Sequence, residues 1–181
     1  MKIIICIIFS IFSLSAKASP GDRQAYVGLT ATTGANSMGF GIDFGTLWNQ
    51  DFGWTFSIKI KPAGIKPSGV SYQTAKNVFG DSEGNAKYEL TSFSVGRSYG
   101  FNDNFFISGA IGYQSYKKYV EFYDQTGILD ASGRYHVLKD SSTVIILEAS
   151  ATYSFPGNPA YLNFGVSNSI SNIFFGIGLT Y

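Results

Sequence analysis

Residues 52–61 read Phe52-Gly53-Trp54-Thr55-Phe56-Ser57-Ile58-Lys59-Ile60-Lys61. Each even position carries a large apolar side chain, and each odd position carries glycine, a hydroxyl or lysine. A period of two is that of a β-strand, whose successive side chains point to opposite faces. The character of the second face decides the surroundings. A soluble sandwich or barrel turns its apolar face inward and its charged face to water. Here the second face is small and hydroxylic, which suits a narrow interior. The apolar face is then left for lipid.

The same alternation recurs in both directions. Ala25, Val27, Leu29 and Ala31 alternate with Tyr26, Gly28, Thr30 and Thr32. Met38, Phe40, Ile42, Phe44 and Trp48 share one face, opposite Gly39, Gly41, Asp43 and Gly45. Further on, Phe93 and Val95 oppose Ser92, Ser94 and Gly96. Phe105, Ile107, Ile111 and Tyr113 oppose Ser108, Ala110, Gly112 and Gln114. Ile145, Leu147, Ala149, Ala151 and Tyr153 oppose Glu148, Ser150 and Thr152. Leu162, Phe164 and Val166 oppose Tyr161, Asn163, Gly165 and Ser167. Last, Ile173, Phe175, Ile177, Leu179 and Tyr181 alternate with Phe174, Gly176, Gly178 and Thr180. No helical stripe of useful length and no solenoid period intervenes. The fold class is all-β: an eight-stranded antiparallel transmembrane β-barrel, an up-and-down meander. Closure follows because lipid cannot hydrate an open sheet edge. A barrel of this size fills its interior with side chains.

Composition agrees. A length of 181 residues allows one domain. Charged residues are 14% and aromatics 17%. The first value lies well below that of an ordinary soluble domain, and the second excludes disorder. Thirteen Lys+Arg against twelve Asp+Glu leave no basic face for nucleic acid. The one long unbroken apolar run, residues 3–12, follows Lys2 and precedes an Ala16-Lys17-Ala18 cleavage pattern. It reads as a secretory signal peptide over residues 1–18, with the barrel domain over residues 19–181 beginning at Ser19. Cys6, the chain's one cysteine, leaves with that leader. One histidine and no remaining cysteine give no metal cluster. Gly39-Phe40-Gly41 and Gly109 to Gly112 read as barrel-interior glycines and not as nucleotide loops, so no cofactor is expected.

Loop lengths orient the barrel. Asn49-Gln50-Asp51, Phe101 to Asn104 and Pro156 to Pro159 are short turns after strands two, four and six. The long connections, about 62–86 and 117–142, follow strands three and five and share the other end. In a bacterial outer-membrane barrel the long loops face outward and the short turns face the periplasm. The connections 34–36 and 168–172 are short. The terminal aromatic strand ending at Tyr181 resembles the signal read by the barrel assembly machinery.

Four charges, Asp43, Lys59, Lys61 and Glu148, fall on the small-residue face and are expected inside the barrel. Interior charges must be paired or hydrated. If Trp48 opposes Trp54 across the first turn, Asp43 stands opposite Lys59. That pair fills the lumen, or, in the alternative, forms the constriction of a narrow small-solute or ion channel. Arg97 has lipid-facing parity close to a short turn, where it can snorkel. Trp48, Phe52, Trp54, Tyr99, Phe105, Tyr153 and Phe155 form an aromatic girdle at that end.

The second long connection keeps its alternation on both sides of a Thr126-Gly127 turn, as a β-ribbon rising above the bilayer. Its candidate binding residues are Lys117, Lys118, Tyr119, Phe122, Tyr123, Arg134, Tyr135 and His136, of types that binding sites favour. An exposed strand edge there could take up a partner strand. His136 has Ser132 and Asp140 four residues to either side, the only arrangement that even suggests a lipid-modifying enzyme. A solvated loop histidine is the plainer reading. A soluble lipocalin-like barrel is the remaining alternative.

Two stretches carry a family resemblance. Leu90 to Tyr123, with its Tyr99-Gly100-Phe101-Asn102-Asp103-Asn104 turn and Ile111-Gly112-Tyr113 strand, resembles the central hairpin of the OmpX/Ail group. The ending Phe175-Gly176-Ile177-Gly178-Leu179-Thr180-Tyr181 is similar to that group's glycine-rich aromatic terminus. The resemblance implies a non-enzymatic outer-membrane protein with surface binding roles: adhesion, resistance to host defence or envelope adaptation. Lipid, lipopolysaccharide and a host or cell-surface protein are the partners it implies.

Overall fold

The structure is a computed structural model that describes residues 23–34, 37–80, 84–123, 133–169 and 173–181. The expected leader, Cys6, the start at Ser19 and the Thr126-Gly127 turn lie outside them. Among the described residues, eight strands and one helix follow in chain order: β1 Arg23–Gly34, β2 Ser37–Trp48, β3 Phe52–Lys61, α1 Tyr72–Phe79, β4 Lys87–Gly100, β5 Phe105–Tyr123, β6 Arg134–Ser154, β7 Ala160–Ser167 and β8 Ile173–Thr180. Each strand pairs with its sequence neighbours, and β1 pairs antiparallel with β8 from Tyr26↔Thr180 to Thr33↔Ile173, closing the barrel.

The faces are inverted relative to a soluble barrel. Phe40, Tyr113 and Ile145 point outward with 61%, 64% and 60% of their surface exposed. Thr30, Asp43, Lys59, Ser94, Gln114 and Asn163 are buried inside. Water would leave the outer belt unsatisfied along its whole circumference, so the surface is one for lipid, and the lipocalin-like alternative falls. At the short-turn end the expected girdle is present. Phe52 packs on Tyr99, Tyr99 on Phe101, and Tyr153 on Phe155, with centroids 5.1, 5.4 and 5.3 Å apart.

Three features depart from the sequence reading. First, β4 runs 14 residues and begins at Lys87, well before its alternating core, while β5 and β6, at 19 and 21 residues, rise as the expected ribbon. Second, residues 72–79 form a helix where none was expected; eight residues show too few turns for a stripe to be read. Third, Gly109 lies on the outward face with no atom within 4 Å of where a Cβ would stand, and is no interior glycine.

The β2–β3 register is a further correction. Asp43 stands opposite Ser57, and Lys59 opposite Gly41, a shift of two residues that also parts Trp48 from Trp54. The hairpin is wider than a tight turn: the β2–β3 ladder ends at Gly45↔Thr55, and the Trp54 amide donates to the Thr46 hydroxyl at 2.9 Å. Crowding inside supports this register. A Cβ at Gly41 would lie 2.7 Å from Lys59 Cγ, so the lysine stem crosses the strand where there is no side chain.

The same close approach occurs at Gly28. A Cβ there would lie 2.0 Å from Tyr161 Oη, and the Tyr161 ring is wedged edge-on against Tyr26 at 5.4 Å. Gly28→Ala is therefore expected to destabilise the barrel by about 1–3 kcal/mol through overpacking. Gly109→Ala, facing open space, is expected to leave stability unchanged. Urea titrations that follow the heat-modifiable folded band compare the two.

Candidate functional site

The lumen comes first, because its charges must be accounted for before any are assigned a function. Lys59 donates to Glu148 at 2.6 Å, and its ammonium sits 3.6 Å from the Phe174 ring centroid. Ser94 donates to the other Glu148 oxygen at 2.7 Å. The Lys59 and Glu148 side chains are 8% and 7% exposed. The Lys59 partner is thus on β6, across the barrel, and not Asp43 on the neighbouring strand. Asp43 accepts instead from the Thr30 hydroxyl, and Lys61 donates to the Gly34 carbonyl.

The pair divides the interior. Cavities of about 10 and 20 Å³ lie beside it, and Lys59, Glu148 and Phe174 line both. Such a volume holds about one water. Toward the short turns, Tyr26, Leu47, Phe106 and Tyr161 form a buried apolar plug. Parity put these side chains inside, but only their packing shows that they seal the end. The pair and the plug fill the described lumen at two levels, which favours the filled-lumen reading over the channel alternative.

The long-loop end is built differently. Above the barrel, β5 and β6 continue as a two-stranded ribbon up to Tyr123↔Arg134. A bulge interrupts it: Lys118 pairs with Asp140 but Tyr119 pairs with Leu138, leaving Lys139 as the extra residue. One inserted residue flips the parity of the strand that carries it. Beyond the bulge, Tyr135 and Val137 of β6 therefore join Val120 and Phe122 of β5 on one face. That face receives α1. Ala75, Val120, Phe122, Tyr135 and Val137 form a second buried core, with Val70 and Tyr72 packed against it. Tyr72 meets Phe122 edge-on at 5.8 Å, and Phe122 stacks on Tyr135 at 5.9 Å.

Local signals hold α1 in place. Ser71 caps its start, accepting from the Thr74 amide at 3.1 Å, and Gly80 ends it at φ 78°. On either side of the helix the chain is stitched to the ribbon. The Ser68 amide donates to the His136 carbonyl at 2.8 Å, and the Gly84 amide to the Glu121 carbonyl at 2.9 Å. The Ser71 and Gly80 pair was the sequence signal for this helix.

The eight candidate loop residues therefore divide. Tyr119, Phe122 and Tyr135 are only 4%, 1% and 4% exposed. Phe122 and Tyr135 hold α1, while the Tyr119 hydroxyl donates to Glu89 at 3.4 Å. Burial, and then the Glu89 charge, raise the Tyr119 phenol above its ordinary pKa. Lys117 reaches Glu89 at 3.0 Å, and that hydrogen bond raises its pKa. Lys118 is half-buried. On the ribbon's other face Glu121 lies 3.5 Å from Arg134 and 3.8 Å from His136. Tyr123 and Arg134 are exposed, as are Leu138 and Lys139, which the sequence reading passed over. Asp140 meets the Tyr116 hydroxyl at 3.4 Å, and Ser132 lies outside the described residues. Among the described residues no group of three His, Cys, Asp or Glu side chains could hold a metal.

A closed eight-stranded meander with a lipid-facing belt, a side-chain-filled lumen and a raised ribbon defines a small transmembrane β-barrel. No protein-family model and no curated protein matches the chain. Solved structures do. Ail, the attachment invasion locus protein of Yersinia pestis, in complex with the heparin analogue sucrose octasulfate, is 13% identical; the match covers 90% of this chain and 100% of that one, with a TM-score of 0.52. A second Ail crystal structure from the same organism is 13% identical over 90% and 96% of the two chains, with a TM-score of 0.50. The N-terminal barrel domain of OprF from Pseudomonas aeruginosa is 10% identical over 89% and 99%, with a TM-score of 0.47. At such identities the likeness is one of fold.

The lumen makes a quantitative prediction. Lys59→Met or Glu148→Gln alone leaves a buried group without its partner and is expected to cost about 3–5 kcal/mol, whereas the double variant Lys59→Met/Glu148→Leu recovers most of it. The urea midpoint of the folded band measures each. Equal losses for the single and double variants would contradict the pairing.

Proposed function

We propose that this chain is a non-enzymatic outer-membrane protein that works at the cell surface through the cap formed by α1 and the β5–β6 ribbon. The observation that carries the reading is the second core. A connection of no consequence needs no buried cluster of its own, yet α1 is capped, packed and stitched to both ribbon strands. That construction holds the ribbon's other face rigidly above the lipid belt. Rigid presentation of exposed Tyr and Arg side chains is what a binding surface needs.

The role that fits is adhesion or attachment. The Ail likeness supports this class, since Ail is named for attachment and was solved with a heparin analogue. On this chain, Lys117, Lys118, Arg134 and Lys139 are the cap's cations for an anionic partner such as a host surface component or lipopolysaccharide. The buried aromatics Phe122 and Tyr135 serve by supporting the surface. Residues 1–18 are cleaved as a signal peptide, and the strand ending at Tyr181 engages the barrel assembly machinery. The interior pairs and the apolar plug leave the strands' inward faces to folding alone.

The test is adhesion of a non-adherent bacterium expressing the chain to immobilised matrix protein and to cultured cells. Removing residues 125–133, or combining Tyr123→Ala with Arg134→Glu, is expected to reduce bound bacteria at least several-fold while the folded band stays in the outer membrane. Undiminished adhesion of both variants would leave a purely structural envelope role as the better reading.

A further inference from the structure

Arg97 belongs neither to the lumen nor to the cap. Arg97 is the only cation on the outward face between the aromatic girdle and the upper end of the apolar belt, among the described residues. Its guanidinium lies 4.2 Å from the Trp54 ring centroid and 5.9 Å from that of Phe52. Stacking of this kind fixes a guanidinium by one face and leaves its edge donors pointing away. Among the described residues, no carboxylate forms an ion pair with it. The two nearest in sequence at this end are engaged elsewhere: Asp51 accepts from the Phe52 amide at 2.7 Å, and Asp103 from Asn49 at 2.5 Å. Its five N–H donors meet no acceptor among the described residues, so an acceptor at the membrane surface would satisfy them.

The surface beside Arg97 is shaped for one. Across the ladder from Trp54 the outward sequence runs Arg97, Gly109, Ala149. A Cβ at Gly109 would meet nothing within 4 Å, and Gly109 and Ala149 are both exposed. Ile111 and Leu147 stand on one side of this row and Ile107 on the other, all outward and exposed. The result is a shallow dent in the belt, with a fixed guanidinium at its rim and apolar walls. An acyl chain can lie in the dent while its headgroup stands at the guanidinium. Four residues of tilted strand separate Arg97 from Phe101, a rise of about 10 Å, so the side chain can reach the headgroup level at the short-turn end.

We propose that Arg97, held by Trp54 and Phe52, binds the phosphate of a glycerophospholipid in the leaflet at the short-turn end, with an acyl chain seated over Gly109 and Ala149. Planar bidentate pairing of guanidinium with phosphate supplies the specificity. The site rests on the membrane reading but on no partner of the cap.

The test is a solid-state NMR measurement of carbon–phosphorus dipolar dephasing, on the full barrel carrying labelled arginine, in phosphatidylethanolamine and phosphatidylglycerol vesicles. The Arg97 Cζ signal is assigned by its disappearance in Arg97→Gln. Strong dephasing of that signal by lipid phosphorus is expected, and weaker dephasing in Trp54→Leu, where the guanidinium loses its platform. An inserted, protease-resistant barrel whose Arg97 Cζ shows no dephasing overturns the site and leaves the membrane reading intact. Unchanged dephasing in Trp54→Leu overturns the part assigned to Trp54. A chain that does not insert overturns both the site and the membrane reading.

Discussion

Everything in this molecule follows from the requirement that no backbone N–H or C=O face hydrocarbon without a partner. Within a bilayer an open sheet edge would cost several kcal/mol per unpaired group. The β1–β8 ladder removes the edge, and each further strand pairs with both its neighbours. Once the sheet is closed, the two faces of every strand have fixed surroundings. The outward face must be apolar, which is why Phe, Ile, Leu and aromatic residues recur at alternate positions. The inward face must fit a lumen only wide enough for side chains, which is why glycine, serine and threonine dominate it.

A narrow lumen in turn restricts what it can contain. Lys59 is tolerated because Glu148 and the Phe174 ring both meet its ammonium, and Glu148 because Ser94 takes its second oxygen. The Lys59, Glu148 and Ser94 side chains are engaged in pairing, and Tyr26, Leu47, Phe106 and Tyr161 form an apolar plug toward the short turns. Binding is thereby displaced from the lumen to the outside of the barrel. The ribbon and its helix form one such place. The rim around Arg97, where belt meets headgroup, forms another.

Legibility of the sequence follows the same physics. Period two decides the face of each residue, and faces such as those of Ile58 and Lys59 were readable from residues 52–61 alone. Partners were not, because parity leaves the register open by steps of two, and Asp43 met Ser57 where Lys59 was expected. The ribbon was readable as a continuation of alternation. Its bulge at Lys139 was not, since one unpaired residue has no signature of its own, and the inward turn of Tyr135 depends on it. Phe122 and Tyr135 looked like exposed binding residues because α1, whose packing hides them, is too short to show a stripe. Tyr123 and Arg134 kept their exposure because, among the described residues, no helix or strand covers the ribbon's other face as α1 covers the first.

The central claim is that residues 52–61 cross a bilayer with even positions toward lipid. Residues 19–181 contain no cysteine, so a single introduced cysteine gives a single labelling site. Nitroxide labels at positions 54 to 58, in the barrel reconstituted in vesicles, report collision with lipid-soluble oxygen residue by residue. The account predicts high oxygen accessibility at 54, 56 and 58 and low accessibility at 55 and 57. A profile without that alternation, or with its maxima at 55 and 57, would contradict the inverted barrel.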